Sequence, residues 1–412
     1  MTDDTTDNPL PLVTTPSLPM TVVSSTDAWH KTLDALGGGS GPLAIDVERA
    51  SGFRYSQRAY LVQIFRKGTS NFLIDPLEVP DLSELTAQFQ DEEWVFHAAS
   101  QDLPSLRELG VEPGTIFDTE LGARLAGLPR VGLQGVAEDI LGLRLQKAHS
   151  AADWSTRPLP KEWLDYAALD VEILPDLREG IHQLLVTSGK LPLAREEFDA
   201  LLTFTPPTRH PDPWRRLSGL HQVRGQRSLA IARELWLARE EYAQSVDTAP
   251  GRLIPDRSIV AVAIEKPGSK SALAGLKAFQ GRASRRELDR WWQAVTEGST
   301  TADLPALRSP SGLLPPPRAW MEKAPDAHRR LVIAKDLLTR QADRLTIPME
   351  NVLTPDHLRR ICWDPIDPSS REAIDRQLHD LGARSWQREI VVPLLIEAFS
   401  QAKAVADGQP SG

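Results

Sequence analysis

The sequence predicts a mixed α/β domain followed by two all-α helical bundles, and three observations carry that prediction. Short apolar runs of strand length cluster between Leu43 and His97. Helical patterns take over from Leu103, and strand signals vanish after Pro213. Two Pro-rich stretches divide the chain: Thr205 to Pro213 (TPPTRHPDP), and a Gly, Ser and Pro segment from Gly298 to Pro317 that ends in LLPPP. At 412 residues the chain exceeds one ordinary core, so several domains are expected.

Met1 to Met20 is acidic, rich in Thr and Pro, and lacks both the basic start and the apolar core of a signal peptide, which predicts a disordered tail over 1–20. The runs Leu43 to Val47, Tyr60 to Phe65, Asn71 to Ile74 and Trp94 to His97 predict strands, the first three following one another as a meander would. Helices are expected at Thr119 to Gly127, at Leu133 to Leu141 and from about Pro160, where Pro175 should kink or end the helix. Beyond Pro213, Arg227 to Ala243 (RSLAIARELWLAREEYA) sets Leu229, Ala232, Trp236 and Arg239 at helical spacing. A weak repeat of about a hundred residues relates the two helical parts. Ile231 to Leu235 echoes Ile333 to Leu337, Pro255-Asp256 echoes Pro355-Asp356, and Gly281 to Ser284 echoes Gly382 to Ser385. The expected division is 21–205, 214–297, a linker at 298–317, and 318–404.

Composition excludes some classes of function. Hydrophobic content of 41% and charged content of 25% are those of a globular protein, and no apolar run approaches membrane-span length. The one cysteine, Cys362, rules out an internal disulfide framework and a cysteine zinc cluster, so a cytoplasmic setting is expected and any metal must be held by oxygen or histidine. The net charge of −9 is unevenly spread. Residues 1–208 hold 16 Lys or Arg against 31 Asp or Glu, whereas 209–297 hold 16 against 10, so the middle segment is basic. No G-x-x-x-x-G-K-[ST] loop and no G-x-S-x-G are present, which excludes an attached motor and leaves serine hydrolase chemistry unsupported.

Three features carry chemistry. Asp46-Val47-Glu48 ends an apolar run, and strand pleating puts both carboxylates on one face, about 6 to 7 Å apart, close enough to share a divalent cation. Alone, the pair also fits a strand running out into an acidic loop. Asp102 follows Val95 to Ala99 where a strand hands over to a helix, and alone it reads as a helix cap with Leu103-Pro104 in the first turn. Tyr166 and Asp170 lie four apart, phenol and carboxylate on one helix face, an arrangement that also suits a half-buried Tyr beside an exposed acid.

Taken together, a strand D-x-E, a post-strand Asp and a helical Y-x-x-x-D in this order resemble the DEDD exonuclease superfamily in its Tyr-containing branch. HAASQDL (His97 to Leu103), FDTELGARLAG (Phe117 to Gly127), KAHSAADWSTRPL (Lys147 to Leu159) and YAALDVEILPDL (Tyr166 to Leu177) are similar to ribonuclease D in particular. The likeness spans roughly residues 21 to 185, with Val47 standing where that family usually has Thr. Trp214 to about Val295 resembles the helicase-and-RNase-D C-terminal (HRDC) domain, and 320–400 a second, more divergent copy.

The resemblance implies an RNase H-like mixed sheet with flanking helices. It implies a 3′-to-5′ exoribonuclease that releases 5′-nucleoside monophosphates, acting on RNA with a free 3′ end such as transfer-RNA precursors, as a monomer. It further implies two divalent cations, Mg²⁺ or Mn²⁺, with Asp46 serving both, Glu48 and Asp170 completing the site beside the attacking water, Asp102 holding the second, and Tyr166 orienting that water. Hard oxygen ligands suit those cations better than zinc. His97, Gln101, Lys147 and Arg157 are candidates for substrate contact, with Trp154 open between contact and core packing. In the middle domain Arg215, Arg216, Arg224, Arg227, Lys270, Arg282, Arg285 and Arg286 are the candidate RNA-facing residues. Two rival expectations stand beside this one: a DNA 3′-to-5′ exonuclease, and a silent nucleic-acid-binding protein on the same fold.

Overall fold

A computed structural model describes residues 10–146, 149, 151–207, 211–307 and 314–407. Its main sheet has six strands: β2 (Met20–Val23), β3 (Ser40–Arg49), β4 (Ala59–Lys67), β5 (Asn71–Ile74), β6 (Glu93–Phe96) and β7 (Thr115–Asp118), in the order β2-β5-β4-β3-β6-β7. The meander is real, because β3, β4 and β5 pair antiparallel in succession while β6 joins β3, and β7 joins β6, in parallel. Two further short strands, β1 (Leu12–Val13) and β8 (Arg144–Leu145), pair in parallel apart from this sheet.

The pleat of β3 sorts its side chains between two cores. Leu43, Ile45 and Val47 join Trp29, Leu33 and Leu36 of α1 (Thr26–Gly37) and Leu85 and Phe89 of α2 (Ser83–Phe89) in one apolar cluster. Ala44, and with it the face that carries Asp46 and Glu48, turns to the other side. That side is covered by α6 (Lys161–Glu172) and α7 (Leu174–Thr187), with α4 (Thr119–Ala126), α5 (Leu133–Leu141) and α8 (Leu191–Leu202) around them. The short α3 (Leu103–Arg107) follows β6. Pro175 falls in the first turn of α7, so the long helical pattern is broken at Ile173 as its sequence required.

After β8 the described chain is helical. The middle domain has its own core around Trp214, Ile231, Leu235, Ile259 and Trp291. Residues 325–345, 349–352, 355–363, 371–380 and 385–406 follow the helix order of 226–245, 250–253, 256–265, 270–275 and 288–300, the middle domain adding one short helix, Arg282–Arg286, before its last, which gives the sequence echo a structural counterpart. The third domain, however, does not stand alone: Leu331, Leu338, Leu395 and Phe399 belong to the same apolar cluster as Leu177, Ile181, Leu185 and Phe198 of the first. Lys190 crosses this junction, its Nζ donating to Leu125 O at 3.0 Å and to Thr346 Oγ1 at 2.9 Å.

Two expectations need correction. The tail expected to be disordered over 1–20 is tied down from Leu10 onward, through β1, through β2, and through Ser17, whose backbone N–H donates to Glu172 at 2.8 Å. Low hydrophobicity misled, because hydrogen bonds do much of the fastening, with Val13 and Met20 packing partly against the cores. The linker expected at 298–317 begins inside a helix, Leu288–Thr300, and Asp303 then pairs with Arg233 at 2.9 Å.

Candidate active site

Strand pairing sets Asp46 opposite Gln63 and Glu48 opposite Leu61, so both acids project from one face of the central strand toward α6. Helix α6 delivers Asp170 to the same place, and carboxylate oxygens of Asp46, Glu48 and Asp170 all lie within 4.8 Å of one another. Asp102 joins them in lining one cleft of about 710 Å³, together with Arg49, His97, Gln101 and Tyr166. An irregularity in the β3–β4 pairing between Glu48 and Arg49 accompanies the turn of Arg49 to this side, where its guanidinium lies 4.0 Å from Asp102.

Asp102 stands at the N-cap position of α3, but its carboxylate does not cap the helix. Its backbone is already helical (φ −98°, ψ −36°), its side chain makes no capping hydrogen bond, and only 4% of the residue is exposed. What turns the chain there is Asp118, which the sequence reading passed over. Parallel pairing sets Asp118 beside Phe96, and its carboxylate accepts the N–H groups of Ala98 (3.1 Å) and Ala99 (2.8 Å) while capping α4 through Leu121 N (3.0 Å). Ala98 can thus hold a left-handed backbone (φ 67°), which costs a side-chain-bearing residue roughly 1 kcal/mol or more, and Asp102 is aimed into the cleft.

Burial lifts all four site carboxylates above the ordinary range. It is the first cause at Asp46, Glu48, Asp102 and Asp170, and the neighbouring acids add to it at the last three, most of all at Glu48. Arg49 opposes the rise at Asp46, Glu48 and Asp102. A cluster of this kind is relieved by a cation. Its donors are hard oxygens only, the set that suits Mg²⁺ or Mn²⁺.

Tyr166 hydrogen-bonds to Asp170, and burial, with the surrounding acids, pushes its phenol far above the usual range, so it acts as a hydrogen-bonding group and not as a base. Trp154 (centroids 6.5 Å apart) and His149 (5.9 Å, edge-on) hold its ring. Burial pushes His97 down to about 4, leaving it neutral. Since the Thr119 hydroxyl donates to Phe96 O at 2.9 Å, its contact of 2.9 Å with His97 Nδ1 makes that nitrogen the donor and leaves Nε2 as an acceptor.

The remaining candidates divide. Gln101 lines the cleft. Lys147 lies outside the described residues. Arg157 is a correction: it grips Asp75 with Nε (2.6 Å) and Nη2 (2.8 Å) and also donates to the carbonyls of Tyr60, Trp154 and Thr156, so its donors are occupied within the protein. Trp154 is fully buried against Trp163 and serves packing. In the middle domain Arg216, Arg224, Arg282, Arg285 and Arg286 are exposed. Arg215 is held by Asp212 and Ala306 O, Arg227 by the carbonyls of Gly298 and Thr301, and Lys270 by Asp289.

Comparison with known proteins accounts for this arrangement. A family model described as a 3′-5′ exonuclease matches residues 20–185, the HRDC domain model matches 228–295, and a model described as the 3′ to 5′ exonuclease C-terminal domain matches 313–399. Ribonuclease D of Granulibacter bethesdensis is 35% identical over 278 residues, which is 66% of this chain and 67% of that protein. This chain belongs to the ribonuclease D family. The third domain of this ribonuclease D is matched by a model other than the HRDC model, although its helices follow much of the middle domain's order. A crystal structure of a protein from Bifidobacterium adolescentis is 34% identical and superposes with a TM-score of 0.86 over 95% of this chain and 99% of that one. Escherichia coli RNase D shares the fold at a TM-score of 0.64 and 24% identity, over 88% of this chain and 99% of that chain.

Proposed function

We propose that this ribonuclease D is a metal-dependent 3′-to-5′ exoribonuclease that releases 5′-nucleoside monophosphates from RNA with a free 3′ end, transfer-RNA precursors and other structured RNAs being the intended substrates. The observation that carries the reading is the convergence of Asp46, Glu48 and Asp170 within 4.8 Å, with Asp102 and Tyr166 on the same cleft. Asp46, Glu48, Asp102 and Asp170 would hold two divalent cations, Mg²⁺ or Mn²⁺. Bound there, such ions acidify the attacking water and stabilise charge on the phosphate. Tyr166, itself held by Asp170, orients the water through its phenol. Neutral His97 offers Nε2 as an acceptor to a hydroxyl of the terminal nucleotide. The exposed arginines of the middle domain supply attraction for the phosphate backbone, which the acidic first domain lacks. Among the described residues no helix is long and apolar enough to cross a membrane, and a monomer in the cytoplasm suits a chain whose one cysteine, Cys362, is buried and free.

The test is a gel time course with 5′-labelled single-stranded RNA and the matching DNA, each with Mg²⁺, Mn²⁺ or EDTA, and with a phosphate-blocked 3′ end. A metal-dependent ladder that shortens from an unblocked 3′ end, faster on RNA, is the expected result. Equal or faster loss of DNA would move the reading to a DNA exonuclease, and no cleavage at all to a binding protein.

A further inference from the structure

The first described residues form a strap that the reaction above leaves unused. At one end Leu12–Val13 lies along Arg144–Leu145, Pro11 O accepting from Arg144 N at 2.9 Å and Val13 O from Gln146 N at 3.2 Å. At the other end Ser17 gives its backbone N–H (2.8 Å) and its hydroxyl (2.5 Å) to Glu172 Oε1, while Leu18 N (3.2 Å) and the amide of buried Asn71 (2.6 Å) reach Oε2. Glu172 is the last residue of α6, where the helix dipole disfavours a negative charge. Four donors, two of them backbone N–H groups of the strap, offset that.

Between its two attachments the strap puts Thr14 and Thr15 on a second cavity, of about 370 Å³, whose opposite wall includes Tyr166, His149 and Asp165. Tyr166 therefore stands between two spaces, the catalytic cleft and the cavity under the strap. Trp154 packs beside the ring, and His149 meets it edge-on from the wall of the cavity under the strap. We infer that the strap, Leu10–Leu18, is a positioning element for the reaction: Glu172 and Ser17 pin the helix that carries Tyr166 and Asp170, and Thr14 and Thr15 bound the space into which the Tyr166 ring would otherwise turn. This rests on the reading of Tyr166 as the group that orients water.

The experiment is a double-mutant cycle on the full chain. Residues 2–15 are deleted in the wild-type and in the Tyr166→Phe background, and kcat, KM and the unfolding midpoint are measured on a short 3′-hydroxyl RNA with Mg²⁺. The deletion is expected to lower kcat about tenfold, as misplacement of a reacting group does, with KM within about twofold. In the Tyr166→Phe background it should add almost nothing, since a group already removed cannot be misplaced. If the shortened chain does not fold, Glu172→Gln, which keeps the side-chain shape but gives up part of the acceptor set, carries the same cycle. Unchanged kcat, or losses that multiply in the double variant, would overturn the strap's role while leaving Tyr166 in place. A Tyr166→Phe protein that turns over at the wild-type rate would overturn the assignment of Tyr166 and this inference with it.

Discussion

Replacing Asp46 by Asn should abolish hydrolysis and at the same time stabilise the metal-free protein. With Asp46, Glu48 and Asp170 oxygens within 4.8 Å, each ionised pair repels by about 3.5 kcal/mol at an effective dielectric constant near 20. Three such pairs would rival the whole stability of a domain, about 5–15 kcal/mol, so without cations the cluster retains protons and is strained. Asp46→Asn removes the acid common to two pairs, and the carbonyl of the new amide keeps the acceptor that meets Val47 N–H. Retained protons already relieve part of the repulsion, so the gain expected is on the order of 1–3 kcal/mol, or roughly 3–8 °C in the unfolding midpoint. The assay is thermal unfolding in EDTA and in Mg²⁺, for wild type and variant, beside RNA turnover and RNA binding. In EDTA the variant should melt higher, the upward shift on adding Mg²⁺ should shrink, and RNA binding should survive because the basic surface is untouched. A variant that melts lower than wild type in EDTA, keeps the full Mg²⁺ shift, or turns over RNA near the wild-type rate would refute the metal-site argument.

Tyr166→Phe removes a phenol and no carboxylate, so turnover should fall by about a hundredfold or more while the Mg²⁺-induced rise in unfolding midpoint is kept. The site carboxylates have folded-state pKa values above their unfolded ones, so their contribution to the stability of the metal-free protein is fully present below the ordinary carboxylate range. It is lost as pH rises through the raised values. The stabilisation by Mg²⁺ should therefore grow from pH 5 to pH 8, and activity should have an acid limb that moves down as Mg²⁺ increases, both read from titrations at several pH values. Burial leaves His97 neutral above about 4, so His97→Gln should not move that limb. Asp118→Ala strands the buried N–H groups of Ala98 and Ala99 and uncaps α4, at a cost of about 3 kcal/mol, and should depress kcat as well by releasing Asp102; chemical denaturation and turnover check the two together. Gly127→Ala meets both a left-handed backbone (φ 90°) and Thr346 O at 2.6 Å from the added carbon, so it should destabilise the junction of first and third domains by about 2 kcal/mol or more, seen as a lower unfolding midpoint.

What the sequence revealed followed the range over which each signal acts. Strands β3, β4 and β5 were legible because each is a compact apolar run, and the period of two placed Asp46 and Glu48 together without any knowledge of what faced them. Strands β2 and β7 are four residues long, the first interrupted by Thr21 and the second bounded by Thr115 and Asp118, so neither shows a continuous apolar run. Asp102 shows the limit of local reading: an acid before Leu-Pro is a good cap by every neighbouring residue, yet the turn is made by Asp118, which sits beside it only because β6 and β7 pair in parallel. Arg157 fails for the same reason in reverse, since nothing near it announces Asp75, 82 residues away. In the middle domain the excess of basic residues was legible, but which arginines face solvent was not: Arg215 and Arg227 are drawn inward by carbonyls of residues from Gly298 onward.

The distribution of cores bears on how the acidic and basic parts cooperate. The third domain shares the apolar cluster of α7 and α8 and packs its last helix against α8, so without it that side of the first domain would lose part of its cover. The middle domain closes a core of its own and meets the first through a compact set of contacts: Asp247 accepts Ser56 N at 2.8 Å, Ala249 N donates to Phe53 O at 2.9 Å, and Arg252 donates to Gly52 O at 2.8 Å while covering the Phe53 ring. Those contacts fall on the loop after β3, and Ser51 and Gly52 of that loop line the catalytic cleft. The middle domain, whose basic residues outnumber its acids, is thus seated on a loop that borders the acidic cleft, so the proposed roles of the two parts, attraction of a phosphate backbone by one and cation binding by the other, fall to neighbouring surfaces.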